Sequence, residues 1–244
     1  MVSLRTGPQK QQVVLDLPSL LSALPAGDER AVAHNAARGI MAVLNEPKNS
    51  DGSQWSFIDC TPVIAPCAEG PGFVEGVAAA GGSAPFFQPY VGDLRLAYYI
   101  DLDDGQRLLP AAQVEAWGVH PERVQKAGMS ILFHRSGYER WENQLVDGVL
   151  IRRLAIGDGG DAARGSLLEL YDYSKARAGR LFAMPSQGTL VFTDVVSDDA
   201  FSVLQRVVRG AYDKAREPLS TDIFMIRDGK FRTDPVAATD IHAQ

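Results

Sequence analysis

Cysteine, histidine, long apolar runs and excess positive charge are all scarce in this chain, and each scarcity excludes something. Of the 244 residues only two are cysteine. Cys60 and Cys67 flank the segment TPVIAP; one pair is too few to frame a disulfide scaffold and, with no histidine beside it, makes a poor zinc centre. Both read as reduced, packed thiols. The four histidines, His34, His120, His134 and His242, are scattered. They form no His-Glu-x-x-His helix and no pair at metal spacing. His34 reads as a helix residue, His120 as a cap and His242 as part of the tail. No stretch approaches the ~20 apolar residues that a membrane-crossing helix needs, and the opening MVSLRTGPQKQQVV has no signal-peptide core. A cytoplasmic location is therefore expected.

Lys and Arg number 24 against 30 Asp and Glu, a net charge of -6. That balance opposes a general nucleic-acid role, because phosphate neutralisation needs clustered cations. The basic spots at Arg152-Arg153 and at Arg206 and Arg209 are short and read as solvated faces. Missing too are the Gly-x-Ser-x-Gly elbow of a nucleophilic serine, the full glycine fingerprint of a dinucleotide site and the Gly-Lys-Ser/Thr phosphate loop. No cofactor is implied.

What is present suits a folded α+β protein. Hydrophobic residues make up 45% of the chain and charged residues 22%, enough for a sizeable core. QVVLDL predicts a strand that Pro18 stops. Asp28 starts a helix whose Val32, Ala36, Ile40, Val43 and Leu44 share one face, and Pro47 with NSDGS ends it. Strand chemistry recurs over Trp55 to Ala65. The glycine-rich segment from Glu69 to Ser83 reads as a loop with at most a turn of helix. LRLAYYIDL and Gln106 to Leu109 read as a hairpin closed at Asp103-Asp104-Gly105. Pro110 and Pro121 each suit the first position of a helix. In the second of these, Val124, Gly128, Ile131 and Leu132 form the apolar stripe and Gly137 the stop.

The local signals agree best from Val149 to Asp194. A strand from Val149 to Ile156 meets a Gly-Asp turn. An amphipathic helix follows, with Leu167, Leu168, Tyr171, Ser174 and Ala178 on one face and Gly179 as its cap. Arg180 to Met184 and Thr189 to Thr193 pair across Gln187-Gly188. Ser197 caps a last helix, with Asp198 and Asp199 placed well against its dipole. DIFMIR closes the order and turns at Asp228-Gly229. The expected fold class is α+β, with two closely packed α/β halves, mixed or mainly antiparallel sheets and helices on one face. Its segments are a loose N-terminus (1–11), an N-terminal half (12–147), a β-α-β-β-α-β half (148–234) and a loose tail (235–244). Element order alone suggests, as a hypothesis, that the halves share a duplicated layout.

LDLPSLL, LRLAYYIDLDDG followed by a helix, IGDGGDAA and MPSQGTLVF, in that order, resemble the YtpQ-like family of bacterial cytosolic proteins over Val13 to Phe231. The resemblance implies a bacterial intracellular α/β protein and brings no activity, cofactor or catalytic residue. The family's glycine-rich turn typically carries an aromatic where Gly160 stands here.

Two local constellations merit weighing. Asp158 and Asp161, in the turn GDGGD at a helix start, are candidate Mg²⁺ ligands; the simpler reading is that Asp161 caps the helix and the glycines make the turn. Phe86, Phe87 and Tyr90 lie beside the glycine-rich segment and are candidate partner-binding residues; core packing is the simpler reading for them, for Tyr98 and Tyr99, and for Trp117 and Trp141. Asp101, Asp103 and Asp104 lack the rest of a calcium loop and read as a hairpin turn. With no catalytic constellation in view, the functional expectation is a non-enzymatic interaction or adaptor protein whose partner is another protein, with homodimerisation open. The alternative is a metal-dependent enzyme acting on a small phosphorylated substrate at the Asp158 to Asp161 turn.

Overall fold

The computed structural model describes residues 2–6, 11–45, 55–103, 105–136, 141–171 and 178–233, without the side chains of 2–6 and 11–14. Two compact units emerge: Met1–Pro89 with Asp93–His134, and Tyr90–Gly92 with Arg135–Gln244. The α+β class holds, and every strand pairing among the described residues is antiparallel.

The first unit opens with β1 (Val2–Thr6) paired to β2 (Gln11–Leu15), so a strand occupies part of what the sequence leaves as a loose N-terminus. Helix α1 (Leu17–Ala23) follows, with Pro18 in its first turn, where the missing N–H costs nothing. Asp28 caps α2 (Glu29–Leu44), its carboxylate accepting from the Arg30 and Ala31 amides. The predicted end of α2 at Pro47 lies outside the described residues. Trp55 to Ala65 departs from the strand expectation. Ser56 and Asp59 form a capping box that winds α3 (Phe57–Cys60), and extended structure begins only at β3 (Ile64–Glu69).

The glycine-rich segment is not a loop. It carries α4 (Phe73–Ala79), which packs on α2. The glycines let the two helix backbones meet: a Cβ at Gly76 would stand 2.0 Å from the Ala36 carbonyl oxygen, and one at Gly39 2.1 Å from that of Phe73. Beyond α4, β4 (Phe87–Pro89), β5 (Arg95–Leu102) and β6 (Gly105–Leu108) complete a sheet in which β5 is central, paired to β3, β4 and β6. Asp101 is a residue of β5 rather than of the turn and accepts a hydrogen bond from its register partner Gln106; Asp103 lies in the turn, and Asp104 lies outside the described residues. Helix α5 (Ala111–Ala116) starts after Pro110, and α6 (Pro121–His134) starts at Pro121. Gly128 lets α6 lie against the sheet, since a Cβ there would meet the Tyr98 ring at 2.9 Å. The predicted stop at Gly137 lies outside the described residues.

The second unit is built on one sheet of six strands in the order β12-β11-β9-β10-β8-β7. In chain order these are β7 (Trp141–Val146), β8 (Val149–Leu154), β9 (Arg180–Ser186), β10 (Thr189–Thr193), β11 (Phe224–Arg227) and β12 (Lys230–Arg232). Strand β7 was not expected. Its hairpin to β8 turns at Asp147 and Gly148, both at positive φ, and straddles the 147/148 division that the sequence suggests.

The long helix packs on one face of this sheet, and a 3-10 turn with a short helix covers the other. Ser197 caps α8 (Asp198–Lys214). Its Ala200, Val203, Leu204 and Val208 pack on Ile151, Leu181, Ala183, Val191 and Met225. The opposite face holds Phe182 in register with Phe192 and Phe224. Below it runs a 3-10 turn (Ala162–Leu167) leading into α7 (Leu168–Tyr171), in the span of the predicted amphipathic helix; residues 172–177, Ser174 among them, lie outside the described residues. Strand orders differ between the two sheets: β3 pairs with β5, the first strand of its following hairpin, whereas β8 pairs with β10, the second.

Candidate functional site

The Gly157 to Asp161 turn, the leading candidate in the sequence, is organised around a residue the sequence reading passed over. Arg164 is fully buried. Its guanidinium holds both Asp158 oxygens, at 2.7 and 2.6 Å, and reaches Asp161 at 3.2 Å, while its Nε donates to Ser136 at 2.7 Å. Asp161 does not cap the turn ahead of it. Its carboxylate reaches back to accept the Ile156 and Gly157 amides, each at 2.9 Å. Asp158 also takes the Gly160 amide at 3.0 Å. Burial works against the Asp158 charge, but the hydrogen bonds and positive charge of Arg164 outweigh it and leave this carboxyl below its usual pKa. For Asp161 burial wins, and its pKa is raised. Within this turn the cation facing the carboxylates is the chain's own arginine, and among the described residues no group of three or more His, Cys, Asp or Glu side chains has metal-binding spacing. The i, i+3 spacing of Asp161 and Arg164 was the available signal.

The aromatic set is directed mostly inward. Phe86 and Tyr90 are buried, Phe87 is half-buried under Arg95, and Phe86 packs on Tyr98 with ring centres 5.2 Å apart. Tyr90 belongs to the second unit, where its hydroxyl donates to the Ala162 carbonyl at 3.0 Å. Trp141 packs edge-on against Phe192 at 4.9 Å. The basic spots carry partners: Arg152 meets Asp194 at 3.0 Å, Arg153 meets Glu142 at 3.6 Å and Arg206 meets Asp147. Cys60 and Cys67 are buried and outside any disulfide, and burial pushes the Cys60 thiol up to about 11, away from the thiolate form that a nucleophile needs.

A concave site lies elsewhere, in the first unit, between α3 and α6. It is an open groove of about 660 Å³. Phe57, Ile58, Thr61 and Pro62 line one side. Along the other run Arg123, Lys126, Ala127, Ser130, Ile131 and His134, spaced three and four apart so that α6 presents them as one stripe. The capping box fixes α3, and Phe57 is held by the Trp117 ring at 5.6 Å and by the Arg123 guanidinium at 5.2 Å over its face. Trp117 is anchored in turn, its indole N–H donating to the Trp55 carbonyl at 2.7 Å. Ile58 stands 79% exposed at the edge of this groove. Among the described residues the lining contains no carboxylate, although the chain as a whole is acidic. The arrangement thus offers apolar contact bordered by two permanent cations and a histidine. Of these residues the sequence alone marks Pro62 as a bend or edge of an expected strand, Ile131 as part of the apolar stripe and His134 as one of the scattered histidines.

No protein-family model matches the chain, and no solved structure matches it. Among curated proteins it is similar to a UPF0354 protein of the bacterium Halalkalibacterium halodurans, 28% identical over 152 residues. That alignment covers 61% of this chain and 56% of the relative, so the match spans little more than half the relative's length. No described helix is long and apolar enough to cross a membrane. The similarity therefore reaches an uncharacterised bacterial family, while the finer YtpQ-like name stays a resemblance.

Proposed function

We propose that the protein is a non-enzymatic adaptor of the bacterial cytosol that docks an acidic, amphipathic segment of a partner protein in the groove between α3 and α6. The observation that carries this reading is the groove's lining: exposed Ile58 and half-buried Phe57 and Ile131 beside Arg123, Lys126 and His134, with no acid among the described lining residues. Large exposed apolar side chains are costly to leave in water, and a concave apolar strip with a charged border is the usual form of a helix-docking groove. The border would select carboxylates and speed encounter, and its contribution would fall with salt because Arg123 and Lys126 are exposed.

The test is selection of binders from a random peptide library displayed against the purified protein, in parallel with folded Ile58→Asp and Lys126→Glu variants. Peptides combining Leu, Ile or Phe with Asp and Glu should be enriched on the parent. Their affinity should fall about tenfold or more on either variant, and should weaken between 50 and 500 mM salt. Recovery of peptides without that composition, or binding to either variant as tight as to the parent, overturns the reading.

A further inference from the structure

Strand β7 is an edge with little of the usual protection against pairing, its one charge being Glu142. Among the described residues its one sheet neighbour is β8. Glu142, Asn143, Gln144 and Leu145 are all exposed, and the register with β8 runs without a bulge over six residue pairs. Proteins blunt such edges with proline, lysine, bulges or brevity. The opposite edge of the same sheet obeys this rule, since β12 has three residues of which two are Lys230 and Arg232. The other sheet carries Pro66 in β3 and Pro89 in β4. β7, WENQLV, has no proline, no basic residue and a 71% exposed Leu145. Leu145 stands directly across from Leu150, itself 40% exposed, so an apolar pair faces water at the rim of the sheet.

We propose that β7 pairs antiparallel with β7 of a second copy of this chain, about a two-fold axis at Asn143, joining two six-stranded sheets into one of twelve. The occupant is argued from self-complementarity. A two-fold perpendicular to the sheet must centre on a residue so that each face continues into the same face of the other copy. Centred on Glu142 it sets two carboxylates opposite each other, and centred on Gln144 it sets Leu145 against Asn143. Centred on Asn143 it sets Trp141 against Leu145 on one face and Glu142 against Gln144 on the other. No like charges meet, and each exposed leucine gains an aromatic cross-strand partner.

The test is the solution mass of the full-length protein by sedimentation, with cysteine cross-linking to read the register. The parent should sediment at twice the monomer mass at micromolar concentration, and Asn143→Pro and Leu145→Lys, each confirmed folded by circular dichroism, should sediment as monomers. Under mild oxidation Asn143→Cys should form a covalent dimer at least tenfold faster than Glu142→Cys; the native thiols are buried and stay out of this reaction. A monomeric parent at 100 μM overturns the proposal. So does a dimer that survives both variants, or cross-linking that favours position 142.

Discussion

Arg164 shows how one side chain can change the meaning of its neighbours. Read in isolation, two aspartates in a glycine turn at a helix start are metal ligands or caps. Placed around a buried guanidinium, they are its counter-ions, and removing that cation leaves both carboxylates uncompensated. Arg164→Met should therefore destabilise the fold by about 3–5 kcal/mol, measured by urea unfolding at pH 7. Acid supplies a second check. The Asp158 pKa is lowered from 3.8 on folding, so its stabilisation is in place above pH 4 and is lost as pH falls through the folded value. Asp161 is shifted the other way, so comparing the parent with Asp158→Asn isolates the first group. The stability advantage of the parent over this variant should shrink as pH falls from 5 to 3; an advantage constant across that range would remove the ion pair as its cause.

At the scale of elements, the glycine-rich segment separates what pattern reading captures from what it misses. Ser197, Asp28, Pro121 and the Asp228-Gly229 turn were legible because each acts within a few residues of itself. Gly39 and Gly76 each meet backbone more than thirty positions away in the chain. Nothing local distinguishes a glycine that admits a neighbouring backbone from one that makes a loop. Gly76→Ala should destabilise by about 1–3 kcal/mol, because its methyl group would enter the Ala36 carbonyl. The same change at Gly210, exposed within α8 and with nothing within 4 Å of its Cβ, should stabilise by about 0.5–1 kcal/mol. Equilibrium unfolding of the two variants checks both signs. The β7–β8 hairpin was missed for a different reason, since its Asp147-Gly148 turn is an ordinary sequence signal; Trp141 to Val146 alternates too weakly to read as a strand beside it. The groove was illegible because α3 and α6 are far apart in the chain, and the cations on α6 read alone as a solvated helix face.

The whole molecule is not two consecutive pieces of chain. Tyr90 to Gly92, in the midst of the first unit's sequence, belong to the second, where the Tyr90 ring packs against Phe231 at 5.7 Å and a Cβ at Gly92 would stand 3.1 Å from the Phe224 ring. The core of the second unit thus takes a side chain supplied from 45 residues before its main run begins, beneath a face built from Phe182, Phe224 and Phe231. Burial of the Tyr90 hydroxyl, which pushes its pKa far up, is offset by its bond to the Ala162 carbonyl. Two variants separate these contributions. Tyr90→Phe removes only the hydroxyl and should cost about 1 kcal/mol. Tyr90→Ala removes the ring as well, leaves a cavity against the phenylalanines and should cost about 3–5 kcal/mol. Amide hydrogen exchange of the full chain locates the effect: in Tyr90→Ala, protection should fall in β9 and β11, the strands that carry Phe182 and Phe224. Parent-like exchange in both strands would mean that the second unit holds its core without the residues it takes from the middle of the first.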